Sequence, residues 1–233
     1  MICRDKITII ICAKNEEQTV GEVVKAAVPL ASQVLVVDGH SEDKTCAIAE
    51  QAGATVIQDG GKGKGEAIRR AIPHIRSEIT VFMDADGSHD ANDIPKLLAP
   101  IIDGGADHVS GSRLLGGSSE LHGGFDECFR LMGSSLITAC INWRFKVHLS
   151  ESQNGFRAIK TEVLRQLDLR EDITTIEQEM IIKTLKQGFR MAEVPAHEHA
   201  RMAGKSSIKL LRVAFRYVWS LTRYLFEPTR THR

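Results

Sequence analysis

The chain has 233 residues, enough for one large domain, and its hydrophobic fraction of 42% allows a sizeable core. Its 30 basic residues balance 30 acidic ones, which argues against bulk binding of nucleic acid. The five cysteines form no CxxC pair, and no signal-peptide pattern is evident. We therefore expect reduced thiols in a cytoplasmic protein.

Strands and helices alternate over the first 110 residues or so. Predicted strands cover residues 7–13, 34–38, 55–58, 79–83 and 108–110, and predicted helices cover 16–27, 42–52, 64–75 and 93–102. This alternation predicts an α/β fold in which a mostly parallel sheet lies between helices. Ligands of such sheets bind beyond the carboxyl ends of the strands.

The alternation stops after residue 113. A glycine-rich loop follows, then predicted helices over 125–142 and 176–186, a short strand over 155–160 and an edge strand over 190–194. We expect one main domain over residues 1–207.

The charge is concentrated near the C-terminus. From Glu198 onwards, eight basic residues stand against two glutamates, a net charge of +6. Residues 208–233 are predicted to form a basic amphipathic helix, in which arginines make a membrane-spanning role unfavourable. Such a helix suits an anionic membrane surface. The alternatives are that it packs on its own domain or joins two copies of the chain into a homo-oligomer.

Asp84 and Asp86 follow directly after the buried strand 79–83. Two carboxylates at this spacing can hold a divalent cation such as Mg²⁺ or Mn²⁺ and place it against a diphosphate. A bound cation of that kind neutralises a leaving diphosphate. A DxD pair alone also occurs in solvated loops, and here its place at a strand end favours the functional interpretation.

Two other features belong to the same edge of the predicted sheet. Asp38 ends the second strand, where a carboxylate can accept hydrogen bonds from a nucleotide base or ribose, although Ser41 also predicts a plain turn and helix cap. The loop 60–65 combines glycines with Lys62 and Lys64 and allows close approach to a phosphate. It lacks P-loop spacing and is equally compatible with a simple connector.

A set of short motifs occurs in a fixed order between about residues 7 and 207. They are IIICAKNEE (9–17), VVDGHSEDKT (36–45), GKG (63–65), DADGSH (84–89), GSR (111–113), GFR (155–157) and RMAGKS (201–206). In this order they resemble the inverting family 2 glycosyltransferases, and within them the dolichyl- or polyprenyl-phosphate sugar synthases. The resemblance implies a GT-A type fold, a catalytic domain over 1–207, a GDP-mannose or UDP-hexose donor, a divalent metal ion, and a polyprenyl or dolichyl phosphate acceptor at the cytoplasmic face of a membrane.

The resemblance also implies roles for individual residues. Those expected at the nucleotide are Ala13, Asn15, Glu17, Asp38, Lys64, Asp84, Ala85 and Asp86. Those expected at the metal are Asp84, Asp86 and Ser88. Those expected at the acceptor phosphate or the donor diphosphate are Arg113, Arg130, Ser134, Arg201 and Lys205, the last two on a basic loop that closes over the donor.

One position departs from the pattern of the family. Relatives commonly carry Asp before the GFR motif, whereas this chain has ESQN at 151–154. Glu151 keeps the charge with one more methylene group, and we expect it to act with Asp84, Asp86 and Arg113 in catalysis with an altered local geometry.

The acceptor decides whether a base is needed. A phosphate is already ionised at neutral pH, so positioning and charge neutralisation suffice. A sugar hydroxyl would require a carboxylate to take its proton, for which Glu151, Glu177 and Glu179 are available. Arg113 and Arg130 favour the anionic acceptor.

Three alternatives remain at this point. The first is the same donor chemistry on a soluble acceptor, and the second is a nucleotidyltransferase that makes the sugar nucleotide. The third is a non-catalytic nucleotide-binding module, which would have little use for the Asp84 and Asp86 pair.

Overall fold

The computed structural model describes residues 4–119, 125–200 and 210–228. Its strands are β1 (Ile7–Ala13), β2 (Gln33–Asp38), β3 (Thr55–Gln58), β4 (Ile79–Asp84), β5 (His108–Ser112), β6 (Arg157–Lys160) and β7 (Met191–Pro195). Its α-helices are α1 (Val20–Ala27), α2 (Thr45–Gln51), α3 (Lys64–Ala71), α4 (Ile94–Ile102), α5 (Arg113–Gly116), α6 (Phe125–Phe145), α7 (Thr161–Gln166), α8 (Ile176–Lys186) and α9 (Leu210–Phe226).

The strands form one sheet in the order β3-β2-β1-β4-β6-β5-β7. β1 lies parallel to β2 and β4, β2 lies parallel to β3, and β5 lies parallel to β7. Only β6 runs antiparallel to its neighbours among these strands. Ala13 pairs with Asp38, and Cys12 with Asp84, so the carboxyl ends of β1, β2 and β4 lie side by side. The predicted mostly parallel α/β sheet is confirmed.

The sheet is covered on both faces, which explains why its central strands are continuous apolar runs. Successive side chains of a strand point to opposite faces, and in β1 Ile9 and Ile11 join one hydrophobic cluster while Ile10 joins the other. The first cluster includes buried side chains of α1 and α4, and the second includes side chains of α3, α7 and α8. Each fully buried Ile or Leu contributes about 1.5–3 kcal/mol relative to an exposed one.

A third cluster joins α9 to the domain. Ile137 and Ile141 of α6, Ile181 of α8, and Leu221 and Tyr224 of α9 are buried together. One face of the C-terminal helix therefore packs on its own domain. In the described ranges, no helix combines the length and the apolar character needed to cross a membrane.

Several boundaries differ from the prediction for a local reason. α1 begins at Val20 rather than at residue 16, and the residues before it form a turn in which the Glu16 carbonyl accepts from the amides of Thr19 and Val20. The preceding Asn15 has a positive φ of 56°, which a helix cannot include. The short helices α5 and α7 were not predicted. β7 lies at the sheet edge, as predicted.

Candidate active site

A large cavity opens at the carboxyl ends of β1 to β4. Its volume is about 860 Å³, and α3, α6, α8 and α9 contribute to its walls. Cys12, Ala13, Asp59 and Asp84 line it at the strand ends. This is the crevice that a parallel sheet offers to a ligand.

Lys64 lies between two carboxylates in this cavity. Its Nζ is 2.6 Å from Asp84 Oδ1 and 2.9 Å from Glu177 Oε1. Burial alone would lower the pKa of Lys64, but the two carboxylates raise it above its usual value, so the ammonium stays charged. A Cβ on Gly155 would overlap Lys64 Nζ and lie 3.1 Å from Asp84 Oδ2, so only glycine leaves room for this arrangement.

Asp86 is buried next to Asp84, at the start of the loop after β4. Its Oδ1 accepts hydrogen bonds from the Ser88 amide at 3.1 Å and from the Ser88 hydroxyl at 2.7 Å. His89 supports the same loop, since its Nδ1 accepts from the Asp84 amide at 3.1 Å and its ring stacks on Phe156. Burial lowers the pKa of His89, which favours the neutral imidazole that this acceptor role requires.

The donor atoms at this strand end fit a hard divalent cation. Asp84, Asp86 and Ser88 all line the cavity and offer carboxylate and hydroxyl oxygens, which Mg²⁺ and Mn²⁺ prefer. The described residues contain no group of three or more His, Cys, Asp or Glu side chains arranged around one ion. Water and the oxygens of a bound diphosphate are further ligands that such a cation accepts.

The loops after β1 and β2 are tied together by side chains expected at the nucleotide. Asn15 Oδ1 accepts from the Glu42 amide at 2.8 Å, and Glu17 Oε2 accepts from the Lys44 amide at 3.1 Å. Neither side chain lines the cavity, whereas their neighbours Lys14 and Glu16 do. Asn15 and Glu17 therefore shape the crevice through the backbone.

Asp38 and Asp59 end neighbouring strands but have different surroundings. Asp38 is fully buried, and both of its carboxylate oxygens accept from the Ser41 amide, at 3.1 and 3.3 Å. Asp59 lines the cavity, and its Oδ1 accepts from the Gly61 amide at 2.6 Å. Asp38 was predicted at the nucleotide, whereas Asp59, which lines the cavity, was not. The carboxylate just before the glycine-rich loop was the signal that could have found it.

Arg113 is held by two glutamates. Its guanidinium is 2.7 Å from Glu151 Oε1 and 2.7 Å from Glu198 Oε1. Burial would lower the pKa of Arg113, but the two carboxylates raise it. Burial raises the pKa of Glu151, and the charge of Arg113 opposes that effect. Arg113 and Glu198 line the cavity, whereas Glu151 does not and instead fixes the position of Arg113.

Glu198 was missed by sequence reasoning because its role depends on a contact across the fold. It accepts from Arg113 and, through Oε2, from Ser118 Oγ at 2.7 Å. No local pattern around residue 198 indicates a partner 85 positions earlier.

The other residues expected at the acceptor lie on α6 and beyond. Ser134 lines the cavity from α6. Arg130 belongs to the same helix, but its side chain lies outside the described part of the chain, as do Arg201 and Lys205 altogether.

Glu177 and Glu179 of α8 have different functions in the fold. Glu177 lines the cavity and contacts Lys64. Glu179 is fully buried elsewhere and accepts from the amides of Arg170 and Glu171. Of these two carboxylates, only Glu177 is placed to meet a substrate.

The cavity has a charged side and an apolar side. Among the described lining residues, six carboxylates outnumber four basic groups. The carboxylates are Glu16, Asp59, Asp84, Asp86, Glu177 and Glu198, and the basic residues are Lys14, Lys62, Lys64 and Arg113. The apolar side comes from α6 and α9, with Leu131, Leu136, Ile137, Val218 and Leu221.

Comparison with known proteins places the chain in a family. The model of the family "Glycosyl transferase family 2" matches residues 8–168. Glycosyltransferase AglJ of Haloferax volcanii is 30% identical over 205 residues, which cover 87% of this chain and 66% of AglJ. A dolichyl-phosphate hexose transferase of the same organism is 29% identical over 210 residues, covering 88% of this chain and 87% of that protein.

Solved structures show the same fold. Glucosyl-3-phosphoglycerate synthase from Mycobacterium tuberculosis, in complex with Mn²⁺, UDP-glucose and phosphoglyceric acid, superposes with a TM-score of 0.77 at 21% identity, covering 97% of this chain and 82% of that one. The fold is therefore the GT-A fold, and family membership sets aside the nucleotidyltransferase and the non-catalytic module. The chain belongs to glycosyl transferase family 2 and is a glycosyltransferase.

Proposed function

We propose that the protein transfers a hexose from a nucleoside-diphosphate sugar to a polyprenyl phosphate, with inversion at the anomeric carbon and with the help of a divalent metal ion. The observation that carries this proposal is the two-sided cavity. Its charged side fits the diphosphate of a donor, and its apolar side fits a hydrocarbon chain. The Haloferax relative described as a dolichyl-phosphate hexose transferase supports the same acceptor.

The charge of the cavity supports metal dependence. A donor diphosphate carries negative charge into a site whose described lining already has two more carboxylates than cations. Mg²⁺ or Mn²⁺ held by Asp84, Asp86 and Ser88 would neutralise the departing diphosphate. The structurally similar glucosyl-3-phosphoglycerate synthase is described in complexes with Mn²⁺ or Mg²⁺ and UDP, which supports the same cofactor.

The chain's own residues position the donor. Lys64 offers its ammonium beside Asp84 to the diphosphate, and Gly155 keeps that position open. Asp59 is placed to accept a hydrogen bond from the nucleoside. These groups are fixed before the substrate binds, so little reorganisation is needed when charge develops.

The pairing of the candidate bases favours a phosphate acceptor, which needs no base, over a hydroxyl acceptor, which does. A base must be free to accept a proton, yet Glu177 is paired with Lys64 and Glu151 with Arg113. A phosphate oxygen attacks without losing a proton. Ser134 and Arg113 both line the cavity and are proposed to contact the acceptor phosphate.

A soluble phosphorylated acceptor is the second candidate. The M. tuberculosis neighbour is described in a complex with phosphoglyceric acid, and its fold covers nearly the whole chain. This alternative keeps every donor-side assignment and leaves the apolar wall without a role.

The experiment offers radiolabelled GDP- and UDP-hexoses with Mn²⁺ or Mg²⁺ and a short polyprenyl phosphate in detergent. We expect label in the organic phase, stoichiometric nucleoside diphosphate, and loss of both in Asp86→Ala. The anomeric coupling constant of the product reports inversion. Label that stays in the aqueous phase and moves to phosphoglycerate instead would replace the lipid with the soluble acceptor.

A further inference from the structure

Two helices present an unusual number of large apolar side chains to solvent. Of the ten large hydrophobic side chains that are exposed in the described ranges, seven lie on α6 and α9. They are 60–76% exposed and are Met132, Leu136 and Trp143 of α6 together with Phe215, Val218, Trp219 and Phe226 of α9. We call this surface the α6–α9 face. Soluble proteins keep such contiguous patches small unless something binds them.

The spacing along α9 gives the helix three different sides. Phe215, Trp219 and Phe226 recur at helical spacing on one side and are exposed, whereas Leu221 and Tyr224 are buried on the opposite side. Arg216 and Arg223 occupy the side between the exposed apolar side and the buried side. The buried side is the one that packs on the domain. The exposed apolar side has no part in this packing and needs another explanation.

The face is continuous with the cavity. Leu136 and Val218 are both strongly exposed and line the cavity as well. Ile137 and Leu221, their neighbours on the same two helices, line the cavity and pack together in the core beneath the face. A hydrocarbon chain in the apolar side of the cavity would therefore leave the protein at this face.

The described residues of the face carry a net positive charge, and Glu227 borders the face 3.9 Å from Arg223. Residues 131–150 and 214–226 contain no Asp or Glu. Arg144, Lys146, Arg216 and Arg223 are all exposed there. A second copy of the chain on the same face would place these cations against one another. An anionic surface would instead neutralise them.

The aromatic residues indicate a lipid surface. The chain has two tryptophans, and both lie on this face, Trp143 at 69% and Trp219 at 60% exposure. Tryptophan favours the boundary between lipid headgroups and acyl chains, where its ring is buried and its N–H stays hydrated.

We infer that the α6–α9 face docks the enzyme on an anionic lipid bilayer, with the mouth of the cavity against the headgroups. This inference rests on the proposed function, because it gives the lipid acceptor a path from the bilayer into the cavity. It assigns to α6 a role in docking that the basic C-terminal helix would share. α9 then packs on the domain with one side and contacts lipid with another.

The test is flotation of the full chain with phosphatidylcholine vesicles that contain or lack phosphatidylglycerol. We expect flotation with the anionic vesicles only. The double variant Phe215→Ser/Trp219→Ser should bind at least about tenfold more weakly, since each aromatic side chain loses its burial. Arg216→Glu/Arg223→Glu should weaken binding to anionic vesicles. The matched control is Ile102→Ser, which removes an exposed apolar side chain of α4 and should float like the wild type.

Tryptophan fluorescence locates the contact, because both tryptophans of the chain lie on the proposed face. A blue shift with anionic vesicles and quenching by lipids brominated on the acyl chain are expected. Absence of flotation and shift would overturn the inference, as would unchanged binding in Phe215→Ser/Trp219→Ser. A dimer in light scattering that the same variant dissociates would assign the face to a second copy.

Failure of docking and failure of the proposed function are distinguishable. Transfer to polyprenyl phosphate in detergent without vesicle binding would keep the reaction and remove the docking face. Vesicle binding without transfer to polyprenyl phosphate would keep the docking face and contradict the proposed reaction. Phe215 and Trp219 do not line the cavity, so slow donor hydrolysis should be unchanged in their double variant.

Discussion

The two sides of the cavity are built on different principles. At the carboxyl ends of β1 to β4, polar side chains are held by defined partners, as Lys64 is by Asp84 and Glu177. On the α6 and α9 side, Leu136 and Val218 are apolar and largely exposed. A reacting diphosphate needs charges fixed in advance, whereas a hydrocarbon chain needs only apolar area. This contrast supports the proposal that the charged side carries out the reaction and the apolar side selects the acceptor.

The largest expected effect comes from the two carboxylates that are proposed to hold the metal ion on the charged side. Asp86→Ala should lower kcat by at least about 100-fold, because Asp86 is proposed to hold the cation that would stabilise the leaving group. Asp90→Ala is the matched control, since that carboxylate accepts from the Asn92 amide and does not line the cavity. Equal losses in both variants, measured as nucleoside diphosphate release, would contradict the assignment.

A large effect without loss of stability is expected at Gly155. Gly155→Ala would displace Lys64 from between Asp84 and Glu177, while the clashing atoms are ends of side chains that can move. We expect kcat to fall by about tenfold or more with only a small change in Tm. Gly105→Ala is the control, since its Cβ would meet only the Pro100 carbonyl at 3.5 Å. Near-normal kcat in Gly155→Ala would show that the position of Lys64 is unimportant.

A smaller effect, on binding alone, is expected at the nucleoside end. Asp59→Asn should raise the KM for the donor by about tenfold with little change in kcat, because it weakens a charged hydrogen bond from the nucleoside. Asp38→Asn should chiefly lower Tm, since that buried carboxylate accepts from the Ser41 amide inside the fold. A KM effect confined to Asp38→Asn would instead support the nucleotide contact that the sequence predicted for that residue.

The smallest expected effect is on the pH dependence of the free energy of unfolding. His108 is fully buried beside Thr184, and burial holds its pKa well below the usual value. Below about pH 6.5 His108 binds a proton in the unfolded state but stays neutral in the folded state. The contribution of neutral His108 to the free energy of unfolding is therefore fully present above that pH and is lost as the pH falls.

Between pH 6.5 and 5.5 the loss should be about 1 kcal/mol, or about 2–4 °C in Tm. The decrease in Tm from pH 7.5 to 5.5 should be smaller in His108→Asn than in the wild type. An equal decrease in both proteins, measured by calorimetry, would contradict the assignment.

The features of the fold that depend on neighbouring residues could be predicted from the sequence. The apolar runs of β1 and β4 and the Asp84-Ala85-Asp86 segment that follows identify strands and their ends from short-range patterns. Contacts between side chains that are distant in the sequence could not be predicted. Nothing near Glu198 indicates Arg113, and nothing near Asn15 shows that its side chain would latch the next loop instead of facing the crevice.

The C-terminal helix shows the same limit. Its sequence predicted an amphipathic helix that contacts a membrane, with packing on its own domain or contact with a second copy of the chain as the alternatives. Leu221 and Tyr224 pack with residues of α6 and α8, and the sequence of α9 alone does not indicate these partners. The exposed apolar side chains of α6 indicate a docking surface only because α9 presents similar side chains next to them. Helical periodicity cannot predict that the two helices are neighbours.

The most direct test of the central claim compares acceptors that share a phosphate and differ in their hydrocarbon. Sugar transfer from the preferred donor would be measured with a series of polyprenyl phosphates of increasing chain length and with phosphoglycerate. If the apolar side of the cavity selects the acceptor, kcat/KM should rise with chain length until that side is filled, and phosphoglycerate should be a poor substrate. A kcat/KM that is indifferent to chain length, or highest for phosphoglycerate, would contradict transfer to a lipid phosphate.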